Sequence, residues 1–246
     1  MVTSSAARLR PRVVVAGATG LVGRAVLALL ASRPAPAGLP RSASVVALVR
    51  QTIQLASLPA GVKGQCVDLA ALGRAGVEGL APLDWAICCL GTTIKAAGSQ
   101  AAFRAVDFDA VLAFARAAKV AGASRLAVVS AMGAQPRSAV FYNRVKGEME
   151  QALIALDLPR LVIAQPSLLL GERASLGQPS RAGEALAQRL MPRIARLLPR
   201  SLRPIRADAV ALAMIAALAA DGPLVSRLSS ADLQALADQA GLRTRA

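Results

Sequence analysis

The feature that most constrains this chain is a glycine-rich turn between an apolar run and a helix-forming run. Residues 12–16 are Arg-Val-Val-Val-Ala, and Gly17, Gly20 and Gly23 follow before the apolar residues 25–30. A buried strand, a tight turn and the start of a helix, in this order, are typical of a fold that binds a dinucleotide. Gly17 permits the sharp turn, Gly20 lets the backbone approach a pyrophosphate, and Gly23 lets the helix pack closely on the strand. The turn therefore predicts a nucleotide site, and the alternative is a strand-to-helix turn that binds nothing.

The start of the following helix extends the predicted phosphate site. The first N–H groups of a helix have no partner within the helix, so here they would face the phosphates. Thr19 in the turn, with Leu21 and Val22 at the helix start, are therefore predicted to contact the cofactor beside the three glycines.

Strand-like and helix-like runs alternate along most of the chain. The strand-like runs span residues 13–16, 45–49, 64–67, 85–90, 126–130 and 161–164. The helix-like runs span residues 21–32, 70–79, 100–121 and 139–156. This alternation predicts an α/β fold of the Rossmann type, a doubly wound parallel sheet that binds ligands at the carboxyl ends of its strands. We expect one domain over residues 1–246, with a small C-terminal helical cap at about residues 165–246 that selects the substrate.

The chain contains no histidine, and this excludes several classes of enzyme. A Ser-His-Asp or Cys-His hydrolase, a histidine general base and a histidine-ligated zinc site all require that side chain. Cys66, Cys88 and Cys89 lack the spacing of a metal site, so we predict no bound metal. Proton transfer must then fall to Tyr, Lys, Asp, Glu or Cys, and the chain has one tyrosine.

The chain is strongly basic, with a formal net charge of +15. Its arginines are spread out and lack aromatic neighbours that could stack on bases, so specific binding to nucleic acid is not predicted. The densest basic section has arginines and aliphatic residues on opposite faces at helical spacing, which predicts an amphipathic helix with a solvated basic face. Its residues are Leu186, Arg189, Leu190, Arg193, Ile194, Arg196, Leu197 and Arg200.

The apolar runs are too short to cross a membrane, which needs about 18 apolar residues. The longest candidate, residues 209–220, is bracketed by Asp208 and Asp221 and predicts a buried helix. The N-terminal arginines resemble the start of a signal peptide, but Gly17 and Gly20 interrupt the hydrophobic region that should follow. We therefore expect a cytoplasmic protein that acts on a small-molecule substrate, and homo-oligomer formation is left open.

Charged residues after the second and third strands bear on the choice of cofactor. Arg50 follows the second strand, where a carboxylate would bind the ribose 2′-hydroxyl of NAD and a guanidinium would pair with the 2′-phosphate of NADP. NADP is therefore predicted over NAD, with assistance from Arg24, although either arginine could be an ordinary surface residue. Asp68 follows the third strand and could bind the adenine amino group or cap the next helix.

The fourth strand ends in a segment suited to the cofactor ribose. Leu90 ends its apolar run, and Gly91 and Thr92 follow with flexible backbone and a hydroxyl group. Parallel sheets bind ligands at this end of their strands, so these three residues are predicted cofactor contacts. A simple loop is the alternative.

The single tyrosine lies four residues before a lysine. On a helix, Tyr142 and Lys146 would project from one face, where the ammonium can stabilise a tyrosinate. The hydroxyl group of an unperturbed tyrosine has a pKa of about 10, so stabilisation of the tyrosinate by the ammonium matters at neutral pH. Ser130, at the end of the fifth strand, could bind a substrate carbonyl or hydroxyl group. The three residues predict a catalytic site, and a surface pair is the alternative for the tyrosine and lysine.

Six segments resemble one family and occur in its expected order. They are GATGLVGR at 17–24, CLGTT at 89–93, VVSAMGA at 128–134, YNRVKGEME at 142–150, QPSLLLGER at 165–173 and RPI at 203–205. Together they resemble the atypical short-chain dehydrogenases/reductases, and among these the NAD(P)H-binding group that includes the Tat-interacting oxidoreductase and its bacterial homologues. The resemblance implies an NADP-dependent oxidoreductase that moves a hydride between nicotinamide and a carbonyl or alcohol. It also permits an NADPH-binding regulatory or assembly protein with little turnover.

The resemblance implies a role for each matched residue. Tyr142 would be the acid/base, Lys146 would hold the nicotinamide ribose and lower the pKa of Tyr142, and Ser130 would orient the substrate. Pro166 and Ser167 would pack beside the nicotinamide. The contacts to pyrophosphate, 2′-phosphate, adenine and ribose would come from Gly17, Gly20, Gly23, Arg24, Arg50, Asp68 and Gly91. The chain departs from the family at Gln165, where relatives often have arginine, and at Ala131, where a second serine is common.

Overall fold

A computed structural model gives the three-dimensional structure of the protein. It describes residues 11–32, 42, 44–68, 72, 82–170 and 199–240, apart from the side chain of Ile53. Two predicted helices lie outside the described residues: the basic helix at about residues 186–200 falls there almost entirely, and residues 70–79 fall there except for Leu72.

Seven parallel strands form the main sheet. They are β1 (Arg12–Ala16), β2 (Ser44–Val49), β3 (Lys63–Cys66), β4 (Trp85–Cys88), β5 (Arg125–Val129), β6 (Arg160–Gln165) and β9 (Val225–Ser229). Their order across the sheet is β3-β2-β1-β4-β5-β6-β9, so the winding direction switches between β1 and β4. The predicted doubly wound parallel sheet of the Rossmann type is confirmed. The short strands β7 (Leu169–Leu170) and β8 (Ile205–Arg206) pair separately, also in parallel.

Helices connect the strands and cover the sheet. The described helices are α1 (Leu21–Ala31), α2 (Ile94–Ala97), α3 (Gln100–Arg104), α4 (Val111–Val120), α5 (Phe141–Ile154), α6 (Ala207–Ala219) and α7 (Ser230–Gln239). A 3-10 helix spans Thr52–Ser57, and a π-helical turn spans Ala105–Ala110 between α3 and α4. The predicted helix over residues 100–121 is therefore interrupted, and the interruption holds a buried aspartate that the site uses.

The core lies in two layers, one on each face of the sheet. Alternate residues of a strand point to opposite faces, so in β1 Val13 and Val15 join one layer while Val14 and Ala16 join the other. Helices α1, α6 and α7 cover the first layer, and α4 and α5 cover the second. Burial of both faces explains why the inner strands β1, β2, β5 and β6 are nearly continuous runs of Val, Ile, Leu and Ala instead of alternating patterns.

The C-terminal region, which the sequence assigns to a cap, also completes the main sheet. Strand β9 pairs with β6 along Leu161 to Gln165, and α6 packs on the same core layer as α1. Arg160 fastens this part, because its guanidinium donates to the Ala217 carbonyl at 2.9 Å and to the Ser226 hydroxyl at 2.7 Å. The sequence does not predict β9, since Val-Ser-Arg-Leu-Ser is short, polar and half-buried at the sheet edge.

Candidate functional site

The glycine turn has the geometry that the sequence predicts. Gly17 follows β1 with φ of 74°, a left-handed conformation that favours glycine, and its carbonyl accepts a hydrogen bond from the Gly20 N–H at 3.0 Å. A Cβ atom on Gly17 would collide with the Cys89 carbonyl group, and one on Gly23 would collide with the Gly17 carbonyl oxygen. The first and third glycines are therefore required by the fold itself, whether or not a nucleotide binds.

The middle glycine differs, because a side chain there would fit the free protein. Gly20 has φ of −77° and ψ of 171°, which any residue adopts, and an added Cβ would lie 3.4 Å from the Gly17 carbonyl oxygen. Gly20 caps α1 without a side-chain hydrogen bond, and the first turn of α1 holds no acidic residue. The N–H groups of this turn, which includes Leu21 and Val22, thus suit a negatively charged group such as a pyrophosphate.

A pair of alanine variants separates binding from folding at this turn. Gly20→Ala is expected to weaken NADPH binding at least about tenfold, or about 1.4 kcal/mol, with an almost unchanged melting temperature of the free protein. Gly23→Ala is expected to lower that melting temperature, because its Cβ meets backbone that cannot move aside. Calorimetric binding and thermal unfolding measure both effects. If Gly20→Ala binds NADPH normally, Gly20 does not lie against the phosphates.

The residues predicted to select the cofactor lie near the carboxyl end of the sheet, as the glycine turn does. Arg50 directly follows β2, which is the neighbour of β1, and its side chain is exposed. Arg24 is exposed on the first turns of α1, and Asp68 is exposed two residues after β3. The fold thus places all three at the carboxyl end of the sheet or beside it, where a bound nucleotide could reach them.

A buried ion pair forms the centre of the site. The Lys146 ammonium on α5 lies 2.8 Å from the Asp107 carboxylate on the π-helical turn, and both side chains are almost fully buried. Lys146 also donates to the Val129 carbonyl at the end of β5, at 3.4 Å. The predicted lysine therefore points toward the carboxyl ends of the strands, where it pairs with a carboxylate.

The segment after β4 touches this ion pair. The Thr92 N–H donates to the second Asp107 oxygen at 2.8 Å. A Cβ atom on Gly91 would lie 3.4 Å from Asp107 Oδ1 and 3.8 Å from Lys146 Nζ, whereas the neighbouring Leu90 is buried. Because residue 91 has no side chain, the backbone leaves space beside the ammonium, which suits a ribose.

Tyr142 lies one helical turn before Lys146, as predicted, and packs on an aromatic ring. Its ring centroid is 5.2 Å from that of Phe103 on α3, and the side chain is half-buried. Burial is the largest influence and raises the pKa of Tyr142; Lys146 lowers that pKa and Asp107 raises it. In the free protein the expected lowering of the Tyr142 pKa by Lys146 is therefore outweighed.

Ser130 donates its hydroxyl proton to another residue of the protein. It is buried, and its hydroxyl donates to the Glu150 carboxylate on α5 at 2.5 Å. Glu150 also accepts from Gln165 Nε2 at 2.9 Å and from Arg227 Nε at 3.1 Å. The one hydroxyl proton of Ser130 is therefore committed to a carboxylate, so in this geometry the hydroxyl does not also donate to a substrate carbonyl.

Pro166 and Ser167 directly follow β6, at the carboxyl end of the sheet. The buried Pro166 accepts a hydrogen bond from the Met132 N–H at 3.0 Å, which joins the loops after β5 and β6. The Ser167 hydroxyl donates to the Arg203 carbonyl and lies 2.9 Å from the Ser230 hydroxyl. The polar end of Ser167 thus holds the C-terminal region in place, and the segment could border a nicotinamide through its backbone.

The cysteine thiols are poor alternatives to Tyr142 as proton donors. Burial raises the pKa of Cys88 to about 12 and raises the pKa of Cys89 well above its ordinary value. Cys66 is exposed on the edge strand β3, and four strands separate β3 from β6. No group of three or more Cys, Asp or Glu side chains is placed to hold a metal ion among the described residues.

Sequence reasoning missed Asp107 and Glu150, the two buried carboxylates of the site. Asp107 lies four residues after Phe103 and seven before Phe114, so a helical pattern places it on the apolar face of that segment. Glu150 follows Tyr142 and Lys146 at the same spacing of four and shares their face of α5. For both residues, the signal in the sequence was a carboxylate on a helix face that is expected to be buried.

The fold and the site together define a Rossmann-type, dinucleotide-binding protein of the short-chain dehydrogenase/reductase type. The family model described as NAD(P)H-binding matches residues 17–194, which is more than half of the chain. The chain belongs to this NAD(P)H-binding family, so the recognised resemblance is confirmed.

Several named proteins are similar to the chain. The protein fmp52, mitochondrial, of Emericella nidulans is 34% identical over 175 residues, which cover 70% of this chain and 71% of that protein. The protein FMP52-1, mitochondrial, of Scheffersomyces stipitis is 45% identical over 83 residues, or 34% of this chain and 37% of that protein. The protein HTATIP2 of Rattus norvegicus is 41% identical over 106 residues, covering 43% and 42% of the two chains. The alignments with the Scheffersomyces and rat proteins therefore span less than half of those relatives.

Solved structures support the fold. MoeE5 in complex with UDP-glucose and NAD superposes with a TM-score of 0.63 over 93% of this chain and 81% of that chain, at 15% identity. The UDP-glucose 4-epimerase of Thermotoga maritima gives the same TM-score at 12% identity, over 95% of this chain and 84% of that chain. At such low identity these similarities establish the architecture alone.

The relatives correct one prediction. The fungal proteins are named mitochondrial, and this finding contradicts the expected cytoplasmic location. Within the part of the chain that the structure describes, no helix is both long enough and apolar enough to span a membrane.

Proposed function

We propose that the chain is an NADP-dependent oxidoreductase that interconverts a carbonyl compound and its alcohol. The observation that carries the proposal is the meeting of a glycine-rich turn, a buried lysine and a half-buried tyrosine at the carboxyl end of the sheet. The turn follows β1, Asp107 links the lysine to Thr92 after β4, and these two strands are neighbours at the point where the winding switches. Ligands of doubly wound sheets bind at this point.

Each residue has a distinct task in the proposed reaction. When bound, NADPH would supply the hydride that reduces the carbonyl carbon. Tyr142 would donate its hydroxyl proton to the carbonyl oxygen, and water would then return a proton to the tyrosinate. Lys146, beside Gly91, would bind the ribose hydroxyls and stabilise the negative charge on Tyr142 after proton transfer.

The choice of NADP over NAD rests on Arg50 and Arg24. A charge-assisted hydrogen bond from Arg50 to the 2′-phosphate would contribute about 1.5–3 kcal/mol, or about a 10- to 150-fold preference for NADPH over NADH. Arg50→Asp is expected to erase or reverse that preference without destabilising the fold, because the side chain is exposed. Titration of both proteins with both cofactors measures it. Equal affinity of the wild type for NADPH and NADH contradicts the assignment.

A second candidate is an NADPH-binding regulatory or assembly protein with little turnover. The observation that favours it is the hydrogen bond from Ser130 to Glu150, which leaves Tyr142 without the predicted serine as a second substrate ligand. Purification with bound cofactor, followed by a screen of aldehydes, ketones and quinones, distinguishes the two. NADPH binding with no oxidation by any of these compounds favours the regulatory protein.

A further inference from the structure

A buried carboxylate offsets the positive charge of Lys146 inside the site. Asp107 Oδ1 lies 2.8 Å from the ammonium, and Asp107 Oδ2 accepts the Thr92 N–H at 2.8 Å. Both side chains are out of water, so their charges are screened little and have opposite effects on a neighbouring group. Sequence spacing alone would give Tyr142 an uncompensated positive neighbour.

The other charged groups around Tyr142 have partners of their own or face solvent. On α3 and α5, Arg104 and Glu148 form an ion pair at 2.5 Å. Arg144 lies over the Phe141 ring, with 5.6 Å between guanidinium carbon and ring centroid, and donates to the Ser138 carbonyl at 2.8 Å. Asp109, on the same π-helical turn as Asp107, is exposed. The Lys146–Asp107 pair therefore dominates the charge environment of the tyrosine.

We infer that Asp107 is a positioning residue that offsets the field of Lys146 at Tyr142, so that the phenol stays protonated, and able to donate its proton in carbonyl reduction, up to a higher pH. The inference deepens the proposed function and rests on it for the direction of the reaction. Burial and Asp107 both raise the pKa of Tyr142, in agreement with the geometry. A protonated phenol suits reduction at neutral pH, whereas oxidation of an alcohol needs the tyrosinate as a base.

The chain allows a direct test because it has one tyrosine and one tryptophan. The ultraviolet absorption of tyrosinate reports the titration of Tyr142 in the free protein, with Tyr142→Phe as the blank. Asp107→Asn keeps the size of the side chain and an oxygen for the Thr92 N–H but removes the charge. Its titration midpoint is expected to fall below that of the wild type by about one pH unit or more, because the ammonium is then uncompensated.

Two further variants complete a cycle in which each charge is removed alone and together. Lys146→Met leaves Asp107 charged and is expected to move the midpoint above the wild-type value. The double variant Lys146→Met/Asp107→Asn removes both opposing charges and is expected to titrate between the two single variants. If Asp107→Asn does not fold, the comparison of Lys146→Met with the double variant still measures the effect of Asp107. Equal midpoints in that comparison, or in Asp107→Asn and the wild type, overturn the inference.

The titration needs neither cofactor nor substrate, so its result is independent of turnover. If the wild type reduces no carbonyl compound, the proposed function fails while the cycle still tests the charge assignment. If turnover is found, the pH at which reduction declines on the alkaline side is expected to fall in Asp107→Asn by the same amount as the midpoint. A cycle with the expected order but an unmoved rate profile overturns the link to proton donation.

Discussion

Replacing Tyr142 with phenylalanine is expected to lower carbonyl reduction by about 100-fold or more while NADPH binding stays unchanged. Phenylalanine keeps the ring that packs on Phe103 and removes only the hydroxyl group. The nearby thiols cannot take over, because burial holds the Cys88 and Cys89 protons tightly. Stopped-flow oxidation of NADPH, with the best substrate from the screen, measures the loss.

The control for this experiment keeps the hydroxyl group and changes a neighbour. Phe141→Leu alters an adjacent ring on α5 but leaves the proton donor in place, so it should keep most of the activity. Full turnover in Tyr142→Phe would remove Tyr142 from the mechanism. Weakened NADPH binding in that variant would instead assign Tyr142 to the cofactor site.

Replacing Lys146 with methionine is expected to have the second large effect, on stability and on cofactor binding together. Methionine fills a similar volume, but Asp107 is left as a buried carboxylate without its counter-charge. Breaking a buried ion pair in this way costs about 3–5 kcal/mol of the free energy of unfolding. The same change removes the ammonium proposed to bind the ribose. Chemical denaturation and NADPH titration measure the two losses separately.

The double variant Lys146→Met/Asp107→Asn tells these losses apart. Its neutral amide no longer needs a counter-charge and can still accept the Thr92 N–H, so most of the stability should return. NADPH binding should stay weak, because the ammonium is absent. Recovery of both properties would show that Lys146 acts on the cofactor only by keeping the protein folded.

The sequence predicts the elements whose signals are local. The glycine turn after β1 and the spacing from Tyr142 to Lys146 depend on residues a few positions apart, and both are found as expected. Periodicity also finds β1, β2, β5 and β6, because buried parallel strands are nearly continuous apolar runs. Predictions of this kind need no knowledge of what packs against the segment.

The features that sequence reasoning missed depend on contacts between residues that are far apart in the chain. Asp107 is separated from Lys146 by 39 positions and reads as an ordinary helical aspartate until the sheet brings the two together. Ser130 lies after β5 as the sequence predicts, but its hydrogen bond to Glu150, twenty residues away, could not be read from the local sequence. Strand β9 is recognisable only from its pairing with β6.

The pairing of Arg227 with Glu150 makes the order of folding matter. The two residues are 77 positions apart, and Arg227 lies on the strand that joins the sheet last along the chain. Contacts of such sequence separation close large loops and are slow to form. During synthesis the helix that carries Tyr142 and Lys146 therefore lacks a counter-charge for its buried glutamate until the C-terminal strand is made. We therefore expect the surroundings of this helix to be complete only after β9 has paired with β6.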